Sequence, residues 1–357
     1  MIDKKFWSKR KVFLTGHTGF KGGWLSLWLN NLNCDITGYS LKAPTNPAIF
    51  FDTNVGDIVT KNIEKDVRNF DNLKNEIQQA EPEIVIHMAA QSLVRESYED
   101  PKGTFSTNVM GTVNVLESVR SAPSVKAVLI VTTDKCYENR EWLWGYREND
   151  RMGGHDPYSS SKACAELAAA AYRKSFFQNS GVAVATARAG NVIGGGDWSK
   201  DRIVPDAVRA FKDGKKLVVR NPLAIRPWQY VLEPLGGYLL LCQKLVSEPV
   251  KYSEAWNFGP NSENEVSVRE LVEYIARTWG NNAVWQQDQQ GNPHEARTLK
   301  LDCSKANALL NWKPIWTYRR ALEETIGWYR AWTDDGKNMQ NITLQYIDKF
   351  QREMNNG

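Results

Sequence analysis

Lys11-Val12-Phe13-Leu14-Thr15 runs straight into Gly16-His17-Thr18-Gly19-Phe20-Lys21-Gly22 and then into Gly23-Trp24-Leu25-Ser26-Leu27-Trp28-Leu29. A β-branched and aromatic run, a glycine-spaced turn and an apolar helical register follow one another without a gap, which reads as strand, tight loop and helix. Glycines at 16, 19 and 22 permit the turn, a close backbone approach to a pyrophosphate and close helix–sheet packing, while the helix amino terminus offers oriented N–H groups. Such spacing alone also occurs in ordinary turns. Its place between a first strand and a first helix favours a cofactor loop in which Gly16, Thr18, Gly19, Phe20 and Gly22 touch the ligand.

Outward from this loop the pattern alternates. Residues 11–15, 35–39, 57–60, 84–87, 127–132 and 182–187 read as strands, and helical patterns begin near Lys21, Asn69, Pro101 and Tyr158. The rhythm predicts an α/β fold: a Rossmann-type doubly wound parallel sheet with helices on both faces. Past Ala189 it breaks into glycine-rich and polar stretches, including Gly194-Gly195-Gly196-Asp197-Trp198 and residues 286–293. The expected division is a cofactor-binding part, 1–188, and a smaller, mixed C-terminal substrate lobe, 189–357. The two are interleaved, with a helix near 233–247 returning to the first. The tail from 338 to 357 reads as a peripheral amphipathic helix.

Bulk properties exclude several classes. The 357 residues, 42% hydrophobic, suffice for one large or two modest domains. The 45 basic and 41 acidic residues leave a net charge of +4, scattered without a basic block, so no nucleic-acid partner is expected. Five cysteines, Cys34, Cys136, Cys164, Cys242 and Cys303, form no C-x-x-C pair, which argues for free thiols and against a metal. Neither a signal-peptide core nor an apolar run of membrane-spanning length is present, so a cytoplasmic protein with no membrane partner is expected. Most of the 14 tryptophans are expected to pack.

Further candidates line the strand ends. Asp66 and Val67, in Lys65-Asp66-Val67-Arg68, offer a carboxylate for an adenine amino group, although Asp66 is equally a helix cap. His87-Met88-Ala89-Ala90-Gln91 closes a strand with the small residues a dinucleotide needs beside the backbone, making Ala89, Ala90 and Gln91 candidates. The second strand ends Gly38-Tyr39-Ser40-Leu41-Lys42, without the acid that usually holds an NAD ribose. Ser40 gives a weaker bond there, while Lys42 would suit a 2′-phosphate. NAD is the expected cofactor, NADP the alternative.

The chemistry-bearing stretch is Thr132-Thr133-Asp134-Lys135-Cys136-Tyr137, followed by Tyr158-Ser159-Ser160-Ser161-Lys162. Tyr158 and Lys162 lie four apart on a helix predicted over 158–177, hence on one face. An ammonium near a phenol favours the phenolate and draws it down from a reference of about 10. Thr133 is placed to orient the same substrate hydroxyl. The plain alternative is a helix face carrying a tyrosine and a lysine by accident.

With these residues quoted, the chain resembles the extended short-chain dehydrogenases/reductases: the glycine loop, the 87–91 segment, Thr107-Asn108 before Gly111-Thr112, and Tyr158 with Lys162 stand in family order. Within them it resembles the nucleotide-sugar 4,6-dehydratases, and among these the CDP-glucose branch that serves bacterial 3,6-dideoxyhexose and O-antigen lipopolysaccharide synthesis. Asp134-Lys135 replaces the Asp-Glu of the dTDP-glucose enzymes, and the stretches from Arg188 to Trp198 and from Arg226 to Val231 also look like that branch. The resemblance implies a hydro-lyase that recycles NAD and takes CDP-glucose to the 4-keto-6-deoxy sugar. Tyr158 would take the 4-hydroxyl proton, with Lys162 and Asn108 beside the cofactor. Lys135, its ammonium destabilised by Lys162, the nicotinamide charge and burial, would remove the C5 proton, unless it acts only by charge and Glu138 or a water is the base. Asp134 would protonate the departing 6-hydroxyl, unless it merely caps the strand end. Asn191, Arg202, Arg220, Arg226 and His294 are the candidate substrate contacts, the arginines because guanidinium matches diphosphate. A homodimer through helices 101–121 and 158–177, or a homotetramer, is implied. A 4-epimerase or reductase is the enzymatic rival, and a non-catalytic NAD-binding regulator the rival of another class.

Overall fold

The computed structural model describes residues 1–261, 264–280, 283–288, 298–334 and 336–356. Seven parallel strands form its main sheet: β1 (Lys11–Thr15), β2 (Asp35–Ser40), β3 (Lys61–Glu64), β4 (Ile84–His87), β5 (Ala127–Val131), β6 (Ala183–Ala189) and, after a long excursion, β10 (Ala255–Phe258). Their order is β10-β6-β5-β4-β1-β2-β3. The excursion and the segment beyond contain β7 (Asn191–Ile193), β8 (Leu217–Val219), β9 (Ile225–Tyr230), β11 (Glu265–Ser267) and β12 (Trp285–Gln287). These make a three-stranded sheet, β11-β9-β7, and a parallel pair, β12-β8.

Period-2 geometry sends alternate residues of the buried strands to opposite faces. Val12, Leu14, Ile84, Ile86, Ala127 and Leu129 enter one core with the helices Phe20–Asn31 and Leu232–Ser247. Phe13, Val85, Val128 and Ile130 enter the other with the helices Phe70–Ala80 and Gly111–Val119. The Leu232–Ser247 helix packs on β5 and β6.

Two expectations are corrected. Residues 57–60 are not a strand: a helical turn, Val55–Ile58, precedes β3 at Lys61–Glu64. Only Ile63 of β3 is buried. An edge strand covered on one side keeps polar residues, so it carries little of the pattern that marks a strand. The β-branched Val59 is buried beside Val55 in the loop instead. The tail is not peripheral either. The helix Met339–Asn356 packs on the Phe20–Asn31 helix, burying Ile347 and Phe350, and Trp28 Nε1 donates to Gln351 Oε1 at 2.7 Å. The Phe20–Asn31 helix buries Gly22 through Leu29 without a break. A helix apolar on every side must be covered on every side.

Glu233 is buried near the start of the Leu232–Ser247 helix, where its Oε1 accepts from the backbone N–H of Ile315 (3.0 Å) and Trp316 (2.8 Å). Burial outweighs those bonds and pushes its carboxyl up to about 8. The folded state therefore holds this proton where the unfolded chain, near 4.5, has lost it. The resulting stabilisation is complete below 4.5 and is lost as pH rises through about 8. Glu233→Gln is expected to remove this contribution. In thermal melts the loss of Tm between about pH 5 and 8 then shrinks; an unaltered slope would show that Glu233 is ionised throughout.

Candidate active site

The glycine loop is built backbone on backbone. Gly16 has φ +79°, and a Cβ there would lie 2.7 Å from the Ala89 nitrogen; one on Gly22 would lie 2.0 Å from the Gly16 carbonyl oxygen. Side chains at both positions are therefore forbidden by main chain. Thr15 Oγ1 accepts from the N–H groups of Met88 and Ala89, each at 3.1 Å, and bonds His87 Nδ1 at 2.7 Å, which ties the loop to the end of β4. Gly19 caps the Phe20–Asn31 helix with no side-chain hydrogen bond, so the first turn presents N–H groups to a ligand rather than to its own cap. These cradles and the uncapped helix end fit a dinucleotide diphosphate. Thr18 and Ser40 hydroxyls meet at 2.8 Å at the end of β2, and Thr18 Oγ1 also donates to the Leu41 carbonyl at 2.9 Å.

Other cofactor candidates lie differently. Asp66 is engaged by Arg68: its carboxylate accepts from the Arg68 backbone N–H at 2.8 Å and from its guanidinium at 2.6 and 2.8 Å. Although burial opposes it, those bonds hold the Asp66 carboxyl below its ordinary value. Val67 is buried against Gly111. Asn108 is a buried strut. It accepts from Gln91 N–H and donates to the Gln91 carbonyl and to Ser161 Oγ, all at 2.9 Å, linking the Ala90–Gln91 segment to the helix Pro157–Tyr172. The Gln91 amide is turned onto Leu93.

The reactive groups converge where β5 ends. Asp156 caps the Pro157–Tyr172 helix by accepting from Ser159 N–H at 2.9 Å, and Pro157 opens it. This sets Tyr158 and Lys162 on its inner face, both buried. Thr133 lies near the Tyr158 phenol and donates to Asp134 Oδ1 at 2.9 Å. Asp134 is 1% exposed, its Oδ2 has no hydrogen-bond partner among the described residues, and a Cβ on Gly190 would come within 3.1 Å of that oxygen. Lys135 Nζ stands 3.8 Å from Asp134 Oδ1 with its side chain 34% exposed.

The electrostatics depart from expectation. Burial pushes the Tyr158 phenol up to about 12, with Thr133 and the Arg202 charge opposing. Lys162 donates to the Val131 carbonyl at 3.1 Å, and burial lowers its ammonium to about 8 against the Glu166 charge. Arg202, which also pairs with Asp197 at 2.8 Å, is one cation that acts on the phenol. Lys21, read from sequence only as the start of a helix, donates to Tyr238 Oη at 3.0 Å. Burial and then the charges of Lys162 and Arg202 bring it down to about 7. Its position in the glycine loop was the available signal.

In the lobe, Asn191 stands on β7 opposite Trp228 of β9, and Arg226 precedes it on β9, paired with Val266 of β11. Arg226 donates to the Ile225 carbonyl at 2.9 Å. Arg220 follows β8 and pairs with Asp201 at 2.6 Å. His294 lies outside the described residues.

A doubly wound sheet with this glycine loop, and a Tyr-x-x-x-Lys helix facing a hydroxyl and an acid, is the build of a short-chain dehydrogenase/reductase. The model of the family described as GDP-mannose 4,6 dehydratase matches residues 13–325, and the chain belongs to that family. It is 53% identical to a CDP-glucose 4,6-dehydratase of Salmonella typhimurium, over 93% of this chain and 94% of the relative. A dTDP-glucose 4,6-dehydratase of Xanthomonas campestris is 24% identical, over 88% of this chain and 92% of the relative. Among solved structures, a Bacillus anthracis dTDP-glucose 4,6-dehydratase in complex with NAD superposes with TM-score 0.75 at 23% identity, covering 91% of this chain and 97% of that one. A Thermotoga maritima UDP-glucose 4-epimerase with UDP-glucose does so with TM-score 0.77 at 19% identity, covering 90% and 99%. Both share the fold.

Proposed function

We propose that the chain is a nucleotide-sugar 4,6-dehydratase that converts CDP-glucose to CDP-4-dehydro-6-deoxyglucose, a precursor for 3,6-dideoxyhexoses of O-antigen lipopolysaccharide. The observation that carries this is the buried Asp134 carboxyl, its Oδ2 without a partner among the described residues, beside Thr133, Tyr158 and Lys135: a hydride-moving site alone has no use for this further acid and amine. The 53% identity to a CDP-glucose enzyme supports the sugar nucleotide. Residues 1–188, with the 232–247 helix, hold NAD; the interleaved remainder holds the substrate through Asn191, Arg202, Arg220 and Arg226.

Tyr158 Oη, steadied by Thr133, takes the proton of the 4-hydroxyl. Bound NAD supplies the acceptor for the C4 hydride, its later return to C6, and a positive ring charge beside the phenol. Once C4 is a ketone the C5 proton is acid, and Lys135 Nζ is the group placed to remove it. Asp134 Oδ2 hands a proton to the 6-hydroxyl, which departs as water, and C5 is reprotonated. The sugar loses one water and no external oxidant is consumed.

CDP-glucose carrying deuterium at C4 tests the reading. Label at C6 of the product is expected; label kept at C4 in a galactose or glucose product, or no turnover, would overturn it. Lys135→Ala is expected to bind the nucleotide sugar and lose C5 exchange with solvent, with turnover down about 10²- to 10⁴-fold. Unchanged exchange would remove Lys135 as the base.

The helices that run from Pro101 to Val119 and from Pro157 to Phe177 leave Phe105, Met110, Leu167 and Phe176 exposed. These apolar side chains support a homodimer through those helices. The cytoplasm, where nucleotide sugars and free thiols coexist, is the compartment this chemistry suits.

A further inference from the structure

We propose that Glu166 is a positioning residue for the reaction proposed above: its one carboxylate locks the helix carrying Tyr158 and Lys162 to the strand end carrying Thr133 and Asp134, and supplies the buried counter-charge for Lys162. Glu166 follows Lys162 by four residues in the Pro157–Tyr172 helix, so the two share a face. Its side chain is 4% exposed, and the structure gives it three donors, one just past the end of β5 and two on β6. Thr132, next to Thr133, donates to Oε1 at 2.5 Å; Thr186 of β6 donates to Oε2 at 2.7 Å, and Arg188 of β6 to Oε2 at 2.8 Å. Arg188 continues to Tyr137 Oη at 2.6 Å, and Tyr137 donates to Asn257 of β10 at 2.8 Å. The turn bearing Asp134 and Lys135 is thereby held at both ends, by Thr132 before it and Tyr137 after it. A shift of the helix along β5 would break all three bonds at Glu166, so the spacing between Tyr158 and Thr133 is fixed from below the site.

The charge has a separate consequence. The groups around the Lys162 ammonium are Tyr158 and Glu166, one turn before and after it on its own helix, Cys136 in the turn after β5, His87 on β4 and Lys21 in the first turn of the Phe20–Asn31 helix. His87 is kept neutral, at about 3, by burial and by Lys162 itself, and Lys21 adds positive charge below about 7. Glu166 is the carboxylate in this set. Burial opposes its ionisation, yet Arg188 and the bonds from Arg188, Thr132 and Thr186 hold it below the ordinary range, so it stays charged. Removing that charge lowers the pH at which Lys162 loses its proton.

The test uses the full chain with ¹⁵N-labelled lysine. In wild type the Lys162 Nζ titration is expected near 8. Glu166→Gln is expected to lower it by about one unit or more, to move the alkaline limb of kcat/KM down by the same interval, and to cut kcat about 10- to 100-fold with KM for the nucleotide sugar held. Glu166→Asp keeps the charge and restores the titration, while its shorter reach leaves kcat low. A folded Glu166→Gln protein with wild-type titration and kcat overturns the proposal. If that variant does not fold, Glu166→Gln with Arg188→Met removes the pair without stranding a charge, and the same two readouts decide. The titration needs no substrate, so failure of wild type to turn over CDP-glucose would sink the assigned reaction and leave this result standing.

Discussion

Tyr158→Phe is expected to lower turnover of CDP-glucose by about 10²- to 10⁴-fold, the range for loss of a general acid–base group. The ring is 9% exposed and the phenylalanine keeps its packing, so melting temperature and substrate binding should change little. What disappears is the oxygen proposed to take the 4-hydroxyl proton. Single-turnover absorbance separates this from the Lys135 variant. Tyr158→Phe should produce no reduced cofactor, since oxidation at C4 is the step lost, whereas Lys135→Ala should reduce the cofactor and stall. Equal cofactor reduction in Tyr158→Phe and wild type would take the proton transfer away from this residue.

The largest effect on stability is expected from Arg188→Met, at about 3–5 kcal/mol, the cost of breaking a buried pair by removing one partner. Arg188 and Glu166 are each 4% exposed at the side chain, 2.8 Å apart. Methionine fills much of the volume but strands a carboxylate with only the Thr132 and Thr186 hydroxyls as donors. It also strips Tyr137 and the Glu148 carbonyl of their guanidinium donor. Denaturant unfolding measures the loss. Adding Glu166→Leu should recover part of it, because the stranded charge goes; a double variant no more stable than the single would show that the cost lies in packing.

Elements with a strong local signature were legible before any contact was known. The glycine loop, the central buried strands, and Tyr158 with Lys162 one helical turn apart each write their geometry into a short window of chain. β3 was misplaced because Ile63 is its one buried residue and the neighbouring loop holds the better apolar run. The tail helix looked detachable because nothing within residues 338–357 states that Trp28 is waiting for Gln351. Asp66 and Asn108 were read as ligand contacts, and what the sequence did not state is their protein partners: Asp66 bonds Arg68, and Asn108 bonds Gln91 and Ser161.

By itself, then, the sequence determined the α/β class, the glycine turn between the first strand and the helix after it, and the one-turn spacing of Tyr158 and Lys162. These follow from turn geometry, from period-2 and period-3.6 patterning and from spacings of a few residues. Tertiary structure alone decided how those side chains are charged and held. Thr133 meets Tyr158 across 25 positions, Glu166 meets Arg188 across 22, and Lys21 meets Tyr238 across 217. Burial raises the phenol and lowers two lysines, while Arg188, Thr132 and Thr186 keep the Glu166 carboxylate ionised against it; each outcome depends on how close the fold brings these partners in a medium far less polar than water. No local window of sequence contains that distance.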